Sequence, residues 1–336
     1  MDAVVLVGGF GTRLRPLTEH IPKPMLPVGH VPMIERLIRR LDRGGVTRVV
    51  LALGFKPEPF VEAFPDGTCG GVELVYAVEP EPLDTGGAIR FAAIEAGIDS
   101  TFVVANGDVM TDLDVAALVD AHRAAGAAAT IHLIGVDDPS AFGVVDLVES
   151  TEGAGRIEQF VEKPAPGTEP SNLINAGTYV FEPSVLDHIP AGQRVSIERG
   201  TFPLLVDAGS MFGLATDDYW IDAGVPDLYR AANLDLLGGE RAHDACEAIA
   251  DDAAVDPGAT VTNTVVGSGA VIEAGTTVVD SVILPGAFIG ERAQVESSLV
   301  MGRIEADATV IEAIIGADGV VPAGDHLAFE SVPAAE

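Results

Sequence analysis

Cations are scarce in this chain. Lysine and arginine together number 19 against 51 aspartates and glutamates in 336 residues, a formal charge of −32. A nucleic-acid or anionic-membrane partner needs basic residues to meet its phosphates, so this balance argues against both. A charge this large repels itself in dilute salt but keeps a protein soluble where salt screens it. The composition is that expected of the salt-loaded cytoplasm of a halophile, with an ordinary acidic protein as the plainer alternative. Lysine stands only at Lys23, Lys56 and Lys163. If exposed lysines have been traded away, the survivors mark places where an ammonium is needed. The two cysteines, Cys69 and Cys246, are too few for a disulfide framework and suit a reducing, cytoplasmic interior. No apolar run approaches the roughly 20 residues that span a bilayer. Gly8, Arg13 and Arg15 break the first apolar stretch, so no secretory leader is expected.

What is present begins at the N-terminus. The apolar run Ala3 to Val7 reads as a buried strand and empties into Gly8-Gly9-Phe10-Gly11-Thr12-Arg13-Leu14-Arg15-Pro16-Leu17-Thr18. Glycines leave backbone N–H groups bare, and a concave row of such groups suits phosphate. Arg13, Arg15 and Lys23, the last in Pro22-Lys23-Pro24, add fixed positive charge. Strand, glycine loop and cations together read as a nucleotide triphosphate site. The string is neither the dinucleotide fingerprint nor a P-loop, since no Gly-x-x-Gly follows Gly11 and no Gly-Lys-Ser/Thr is present.

Further on, a helix is expected from Pro32 to Arg43, strands over 49–53 and 72–78, and a helix opened by Thr85-Gly86-Gly87 and running through Ile94. A buried strand, 101–105, ends in Asn106-Gly107-Asp108, after which Asp112 is read as the cap of the next helix. Alternating strands and helices mark a parallel, doubly wound α/β sheet whose ligand sits at the carboxyl ends of the strands. Gly8 and Asp108 both lie just past strand ends and can share one crevice. The following stretch is richer in strands (129–136, 142–148, 156–161, 174–181, 211–216), with a helix over 196–206 and a last one near 225–237. Beyond Gly238-Gly239 helical periodicity is lost. Asn263-Thr264-Val265-Val266 is echoed by Asp280-Ser281-Val282-Ile283, Ser297-Ser298-Leu299-Val300 and Glu312-Ala313-Ile314-Ile315. Apolar residues recur six apart at Val266, Ile272, Val278 and Leu284, then at Ile289 and Val295 after a one-residue slip. A hexapeptide period means a parallel β-helix. Two domains are expected, 1–238 and 239–336.

The string from Val7 to Thr18 with Pro22-Lys23-Pro24 resembles the signature of the sugar-1-phosphate nucleotidyltransferases, the nucleotide-sugar pyrophosphorylases. The resemblance implies the family's Rossmann-like doubly wound mixed sheet followed by a left-handed parallel β-helix. It implies attack by a sugar-1-phosphate oxygen on the α-phosphorus of a nucleotide triphosphate, with Mg²⁺ as cofactor. The resemblance puts Val7, Gly8, Gly9, Gly11, Thr12, Arg13, Lys23, Thr85, Gly86, Asn106 and Gly107 at the nucleotide, with Arg13 orienting the pyrophosphate. It makes Asp108 and Asp222, in Trp220-Ile221-Asp222-Ala223-Gly224, the metal ligands. Glu162-Lys163-Pro164 resembles the sugar-phosphate motif, and Gly143, Asn175 and Gly177 match the sugar pocket. In that pocket Gly143 is expected to let the sugar approach the backbone. Lys56 has no motif and reads as surface.

Leu83-Asp84-Thr85-Gly86-Gly87 lacks the Gly-Leu-Ala-Gln string of the thymidylyl- and uridylyltransferases and is more similar to the guanylyltransferases, although Asp84 replaces their usual glycine. GTP with mannose-1-phosphate is therefore the expected pair, with a glucose-1-phosphate thymidylyl- or uridylyltransferase as the alternative. A regulatory or scaffold subunit typically loses part of the signature, and Arg13, Lys23, Asp108, Lys163 and Asp222 are all present. An acyltransferase β-helix needs a histidine base among its coils, and none lies between Asp244 and Asp325. The β-helix is accordingly expected to serve homo-oligomerisation or regulation.

Overall fold

The computed structural model describes the whole chain except residues 10, 55–56, 149–152, 239–240, 242–244 and 335–336. Lys56 and the expected domain boundary at Gly239 lie outside the described residues. The chain divides into two compact units, residues 1–9 with 34–220 and residues 10–33 with 221–336. The part of the signature from Gly11 on, and the last helix, thus belong to the same unit as the repeats, a grouping that no linear reading of the sequence offers.

The first unit is built on a ten-stranded sheet. Its strands are β1 (Asp2–Leu6), β2 (Arg48–Leu53), β3 (Thr68–Cys69), β4 (Val72–Val78), β5 (Phe102–Asn106), β6 (Ala129–Gly135), β7 (Gly143–Leu147), β8 (Gly155–Glu162), β9 (Leu173–Phe181) and β10 (Met211–Thr216). Their order is β7-β8-β10-β6-β9-β5-β1-β2-β4-β3. β1 is parallel to both β2 and β5, and its residues Ala3, Val4 and Val5 are wholly buried, as a central parallel strand requires. The parallel expectation holds only for part of the sheet. β9 runs antiparallel to both β5 and β6, and β7 is antiparallel to β8. Among the described residues no helix lies between β7 and β8 or between β8 and β9. Antiparallel neighbours need no helical crossover, so the sheet is mixed.

Two local readings are corrected. The cap of the helix Val115–Ala125 is Asp114, whose carboxylate accepts from the Ala117 N–H at 3.1 Å; Asp112 instead pairs with Arg40 at 2.6 Å. Residues 196–206 are not one helix. A π-type turn, Ile197–Thr201, is followed by a separate helix, Phe202–Asp207, with Pro203 in its first turn. Proline suits that position because the first N–H groups of a helix have no partner inside it. Phe202 and Leu205 do point inward, and Phe202 meets Tyr179 edge-on at 5.4 Å.

In the second unit, the repeats form three parallel sheets of five strands each. Each coil gives one strand to each sheet, as in Val265–Val266 beside Val282–Ile283 beside Leu299–Val300 beside Ile314–Ile315. Every sequence echo marks one corner. Asn263, Asp280, Ser297 and Glu312 take positive φ of 43° to 49°, and the next residue is buried. At that corner Thr264, Ser281 and Ser298 form a hydroxyl ladder. The Ser281 N–H donates to Thr264 Oγ1, the Ser298 N–H to Ser281 Oγ, and the Ala313 N–H to Ser298 Oγ, at 3.0–3.3 Å. These bonds satisfy backbone donors inside the turn, where water cannot reach them. The interior stack runs Val266, Ile272, Val278, Ile283, Ile289, Val295. The slip therefore comes after Val278, and Ile283 rather than Leu284 packs in this core.

Among the described residues no helix is long and apolar enough to cross a membrane. One buried group makes stability depend on pH. His132 on β6 is fully buried, its Nε2 2.8 Å from Thr216 Oγ1, and its Nδ1 has no partner. Burial pushes its pKa down from 6.5 to about 4. The unfolded chain therefore takes up this proton first, and stability falls as pH drops from 6.5 towards 4. The loss from this one group is about 3 kcal/mol. Melting temperatures measured from pH 7 to pH 4 should fall less steeply in His132→Leu than in the natural chain.

Candidate active site

The sheet register assembles the first cluster. Leu6 on β1 is paired with Asn106 on β5, and the Gly107 N–H donates to the Leu6 carbonyl at 2.9 Å. Val7-Gly8-Gly9 and Gly107-Asp108 therefore leave adjacent parallel strands side by side, at their carboxyl ends. Gly8 and Gly9 are exposed. A Cβ on Gly107 would stand 2.7 Å from Val7, so only glycine lets the two turns approach. Gly177, at φ 79°, meets the Asn106 side chain in the same way, at 2.7 Å. The turns expected to share one crevice, those of Gly8 and Asp108, are neighbours.

Around it lie the sugar-pocket candidates. Asn175 donates its amide to the Tyr179 hydroxyl at 3.0 Å and accepts from the Gly177 N–H at 3.0 Å. Glu162 ends β8, with Lys163 Nζ 3.9 Å away. Burial pushes the Glu162 carboxyl above its ordinary value, and the Glu198 carboxylate adds to this against the opposing Lys163. Lys163 itself is exposed and takes φ 51°. Glycine at 143 has a packing reason, because a Cβ there would stand 2.5 Å from the Phe160 ring and 3.0 Å from Glu162 Oε2.

Thr85 and Gly86 open the helix Asp84–Glu95. Thr85 Oγ1 donates to Glu198 at 2.8 Å, while the Gly86 N–H donates to the Val195 carbonyl at 2.8 Å. Asp84 fits where glycine was expected by adopting φ 61° and accepting from the Thr85 N–H at 2.8 Å.

Two carboxylates here escaped the reading of the sequence. Glu198 lies in the π-type turn, where helical spacing alone indicates plain helix, and its Oε2 also accepts from Ser196 Oγ. Glu79, just past β4, is buried; its Oε2 accepts from the Leu83 N–H at 2.8 Å and its Oε1 faces the Gly8 turn. Burial raises the Glu79 pKa above the ordinary carboxyl value. Its position at the carboxyl end of a parallel strand was the signal available in the sequence.

The second cluster lies wholly in the second unit. Gly11 takes φ 60° and its carbonyl accepts from both Thr18 Oγ1 and the Leu14 N–H, which fixes the turn Thr12–Leu14. Arg13 is on that turn, and Lys23 begins the next, Lys23–Met25. Lys23 is buried, and its ammonium lies 3.5 Å from Asp222 Oδ1. A Cβ placed on Gly224 would stand 2.8 Å from Arg13 Nη2, 2.8 Å from Asp222 Oδ1 and 3.1 Å from Lys23 Nζ. Three charged groups thus converge on a space that exists because residue 224 has no side chain. Two cations at that distance suit an anionic oxygen, and the carboxylate beside them is a hard oxygen donor of the kind Mg²⁺ takes. Among the described residues no group of three or more His, Cys, Asp or Glu could hold a metal. One or two carboxylates completed by substrate phosphates is the usual way Mg²⁺ is held, so the donors fit that ion.

A family model described as nucleotidyl transferase matches residues 2–238, and one described as GlmU-like, C-terminal hexapeptide, matches residues 239–332. The chain belongs to the nucleotidyl transferase family. It is 43% identical over 281 residues to the mannose-1-phosphate guanylyltransferase of Mycobacterium tuberculosis, covering 80% of this chain and 76% of that protein. It is 42% identical over 228 residues to the mannose-1-phosphate guanyltransferase of Candida albicans, covering 67% of this chain and 62% of that one. Among solved structures, HddC from Yersinia pseudotuberculosis, also solved complexed with GMP-PN, is 30% identical with a TM-score of 0.58, over 69% of this chain and 97% of that one.

Gly224 separates a cradle from a coincidence. Its φ is not in the left-handed region, so alanine is allowed by the backbone and adds only the methyl group. Gly224→Ala should lower nucleotidyl transfer about 100-fold, the cost of displacing reacting groups by about 1 Å, with the melting temperature nearly unchanged. Steady-state kinetics and thermal melting check this.

Proposed function

We propose that this chain joins GTP and mannose-1-phosphate to give GDP-mannose and pyrophosphate. The identity of 43% over most of the chain to a mannose-1-phosphate guanylyltransferase carries the proposal. A phosphate oxygen of the sugar 1-phosphate attacks the α-phosphorus of the nucleotide. The new P–O bond forms as the bond between the α-phosphorus and its bridging oxygen to the β-phosphorus breaks, and the electron pair leaves with pyrophosphate. No covalent enzyme intermediate is needed, since both reactants are anions and the protein's task is to align them and offset their charge.

In this reading Val7, Gly8, Gly9, Gly11, Thr12, Asn106 and Gly107 seat the nucleotide, with Thr85 and Gly86 on its base side. Arg13 and Lys23 bind the triphosphate, and Arg13 meets the charge that develops on the leaving pyrophosphate. Glu162 accepts from sugar hydroxyls, Lys163 binds the sugar phosphate, and Asn175, Gly143 and Gly177 shape that end. Asp108 and Asp222 are the proposed ligands of Mg²⁺, which when bound would neutralise phosphate charge. Glu79 favours guanine over a pyrimidine base. An ionised carboxylate accepts and cannot donate, which matches the adjacent N1–H and N2–H donors of guanine and leaves a carbonyl-flanked pyrimidine N3–H poorly served. The β-helix is read as left-handed, the sheet domain as Rossmann-like, and the assembly as a homo-oligomer working in a salt-rich cytoplasm, in keeping with a charge of −32.

Pyrophosphate release in high-salt buffer with Mg²⁺ tests the pair, with GTP, dTTP, UTP and CTP each run against mannose- and glucose-1-phosphate. GTP with mannose-1-phosphate should dominate. A dominant dTTP or UTP signal would overturn the base assignment, and silence from a folded sample would overturn the reaction. In the same assay Asp108→Asn and Asp222→Asn should each lose at least about 100-fold without loss of fold. Glu79→Gln should narrow the preference for GTP over UTP by about tenfold.

A further inference from the structure

The turn that carries Arg13 is buttressed by a coil near the C-terminal end of the hexapeptide repeats. Thr12–Leu14 is followed by Pro16 and Leu17, both buried, and Leu17 donates its N–H to the Leu14 carbonyl at 3.0 Å. Almost 300 residues later, Gly316 ends the strand pair Ile314–Ile315. A Cβ on Gly316 would stand 2.7 Å from Pro16 Cβ, 2.9 Å from Pro16 Cγ and 3.2 Å from the Pro16 carbonyl oxygen. The backbone of the coil therefore lies directly on the proline. Two residues further, Asp318 Oδ2 is 2.7 Å from His20 Nε2, at the far end of the same loop. The Gly316 N–H donates to the Val332 carbonyl of the next coil at 2.8 Å and the Gly319 N–H to the Gly316 carbonyl at 2.9 Å, so the buttress is tied to the coil beside it and closed by its own turn.

We propose that Gly316 is a positioning residue for nucleotidyl transfer: the hexapeptide coil, through its bare backbone at Gly316, sets where Arg13 stands. The proposal rests on the role given above to Arg13 at the leaving pyrophosphate. The loop has rigid partners on two sides. Gly11, bonded to Thr18, closes its base, and the coil closes its top. A packed contact transmits a displacement instead of absorbing it, since protein interiors have few voids. A methyl group at position 316 has nowhere to go but against Pro16, three residues from Arg13. Gly316 has no positive φ, so alanine does not strain the coil itself.

The test is Gly316→Ala, assayed in both directions with each Michaelis constant determined separately. The expected result is a fall in kcat of about tenfold and a similar rise in KM for pyrophosphate in the reverse reaction. KM for the nucleotide-sugar should stay near the wild-type value, and the melting temperature should fall by no more than a few degrees. A second variant reaches the same loop from the exposed side. Asp318→Lys should raise KM for pyrophosphate by about threefold, exposed pairs being weak, and His20→Glu in the same chain should restore it. Wild-type constants in Gly316→Ala would overturn the proposal. So would a uniform loss of activity that tracks a lower melting temperature, and so would a charge swap that restores nothing. An inactive wild type overturns the functional reading and this inference with it, whereas an active wild type matched by Gly316→Ala overturns this inference alone.

Discussion

A nucleotide triphosphate is among the most highly charged small ligands a protein meets, and this chain carries −32 itself. Any site for such a ligand has to reverse the sign of the field locally. At Gly224 the space left by an absent side chain is shared by a guanidinium, a buried ammonium and one carboxylate. Burial of the Lys23 ammonium strengthens its charge relative to an exposed one, because water screens it less. The features around them serve to hold that geometry. The left-handed Gly11 closes the Arg13 turn, the turn at Lys23–Met25 buries the lysine, and the coil at Gly316 blocks the loop from above. A charge excess that salt can screen elsewhere leaves such a locally basic cradle intact.

The other cluster depends on backbone instead of charge. Two glycine turns leave neighbouring parallel strands, and glycines at 107 and 177 let main chain and side chain approach closer than any Cβ would allow. The acidic residues lining this region, Glu79, Glu162 and Glu198, are held by N–H and hydroxyl donors or lifted above their ordinary pKa by burial. Polyol hydroxyls and the donor edge of a purine are natural partners for such carboxylates, since they supply the hydrogen bonds that the interior lacks.

Much of this was legible in the residues, for identifiable reasons. Apolar runs ending in glycine or Asn-Gly-Asp gave β1 and β5, and parallel pairing then brought Gly8 and Asp108 together with no further information. The echoes beginning at Asn263, Asp280, Ser297 and Glu312 gave the coil corners, because a left-handed residue followed by a small buried one has to recur where the chain turns. The antiparallel β9 was less visible, since strand propensity carries no direction. The break at Pro203 was hidden by helical spacing on either side of it. The one-residue slip was misplaced because Ile283 and Leu284 are both buried and adjacent, and periodicity alone cannot say which one faces the coil axis. Gly224 and Gly316 were invisible in their roles, since what matters at each is the tertiary neighbour its missing side chain leaves room for.

The central claim is that Lys23, buried beside Asp222, grips the triphosphate. Calorimetric titration of GTP into the natural chain and into Lys23→Met, with Mg²⁺ and high salt in both, tests it most directly. Methionine keeps the volume and removes the charge. The account predicts that affinity falls by about 30-fold or more, the worth of a charge-assisted contact to phosphate at about 2 kcal/mol, with the melting temperature retained. An unchanged Kd for GTP in a folded Lys23→Met would contradict it.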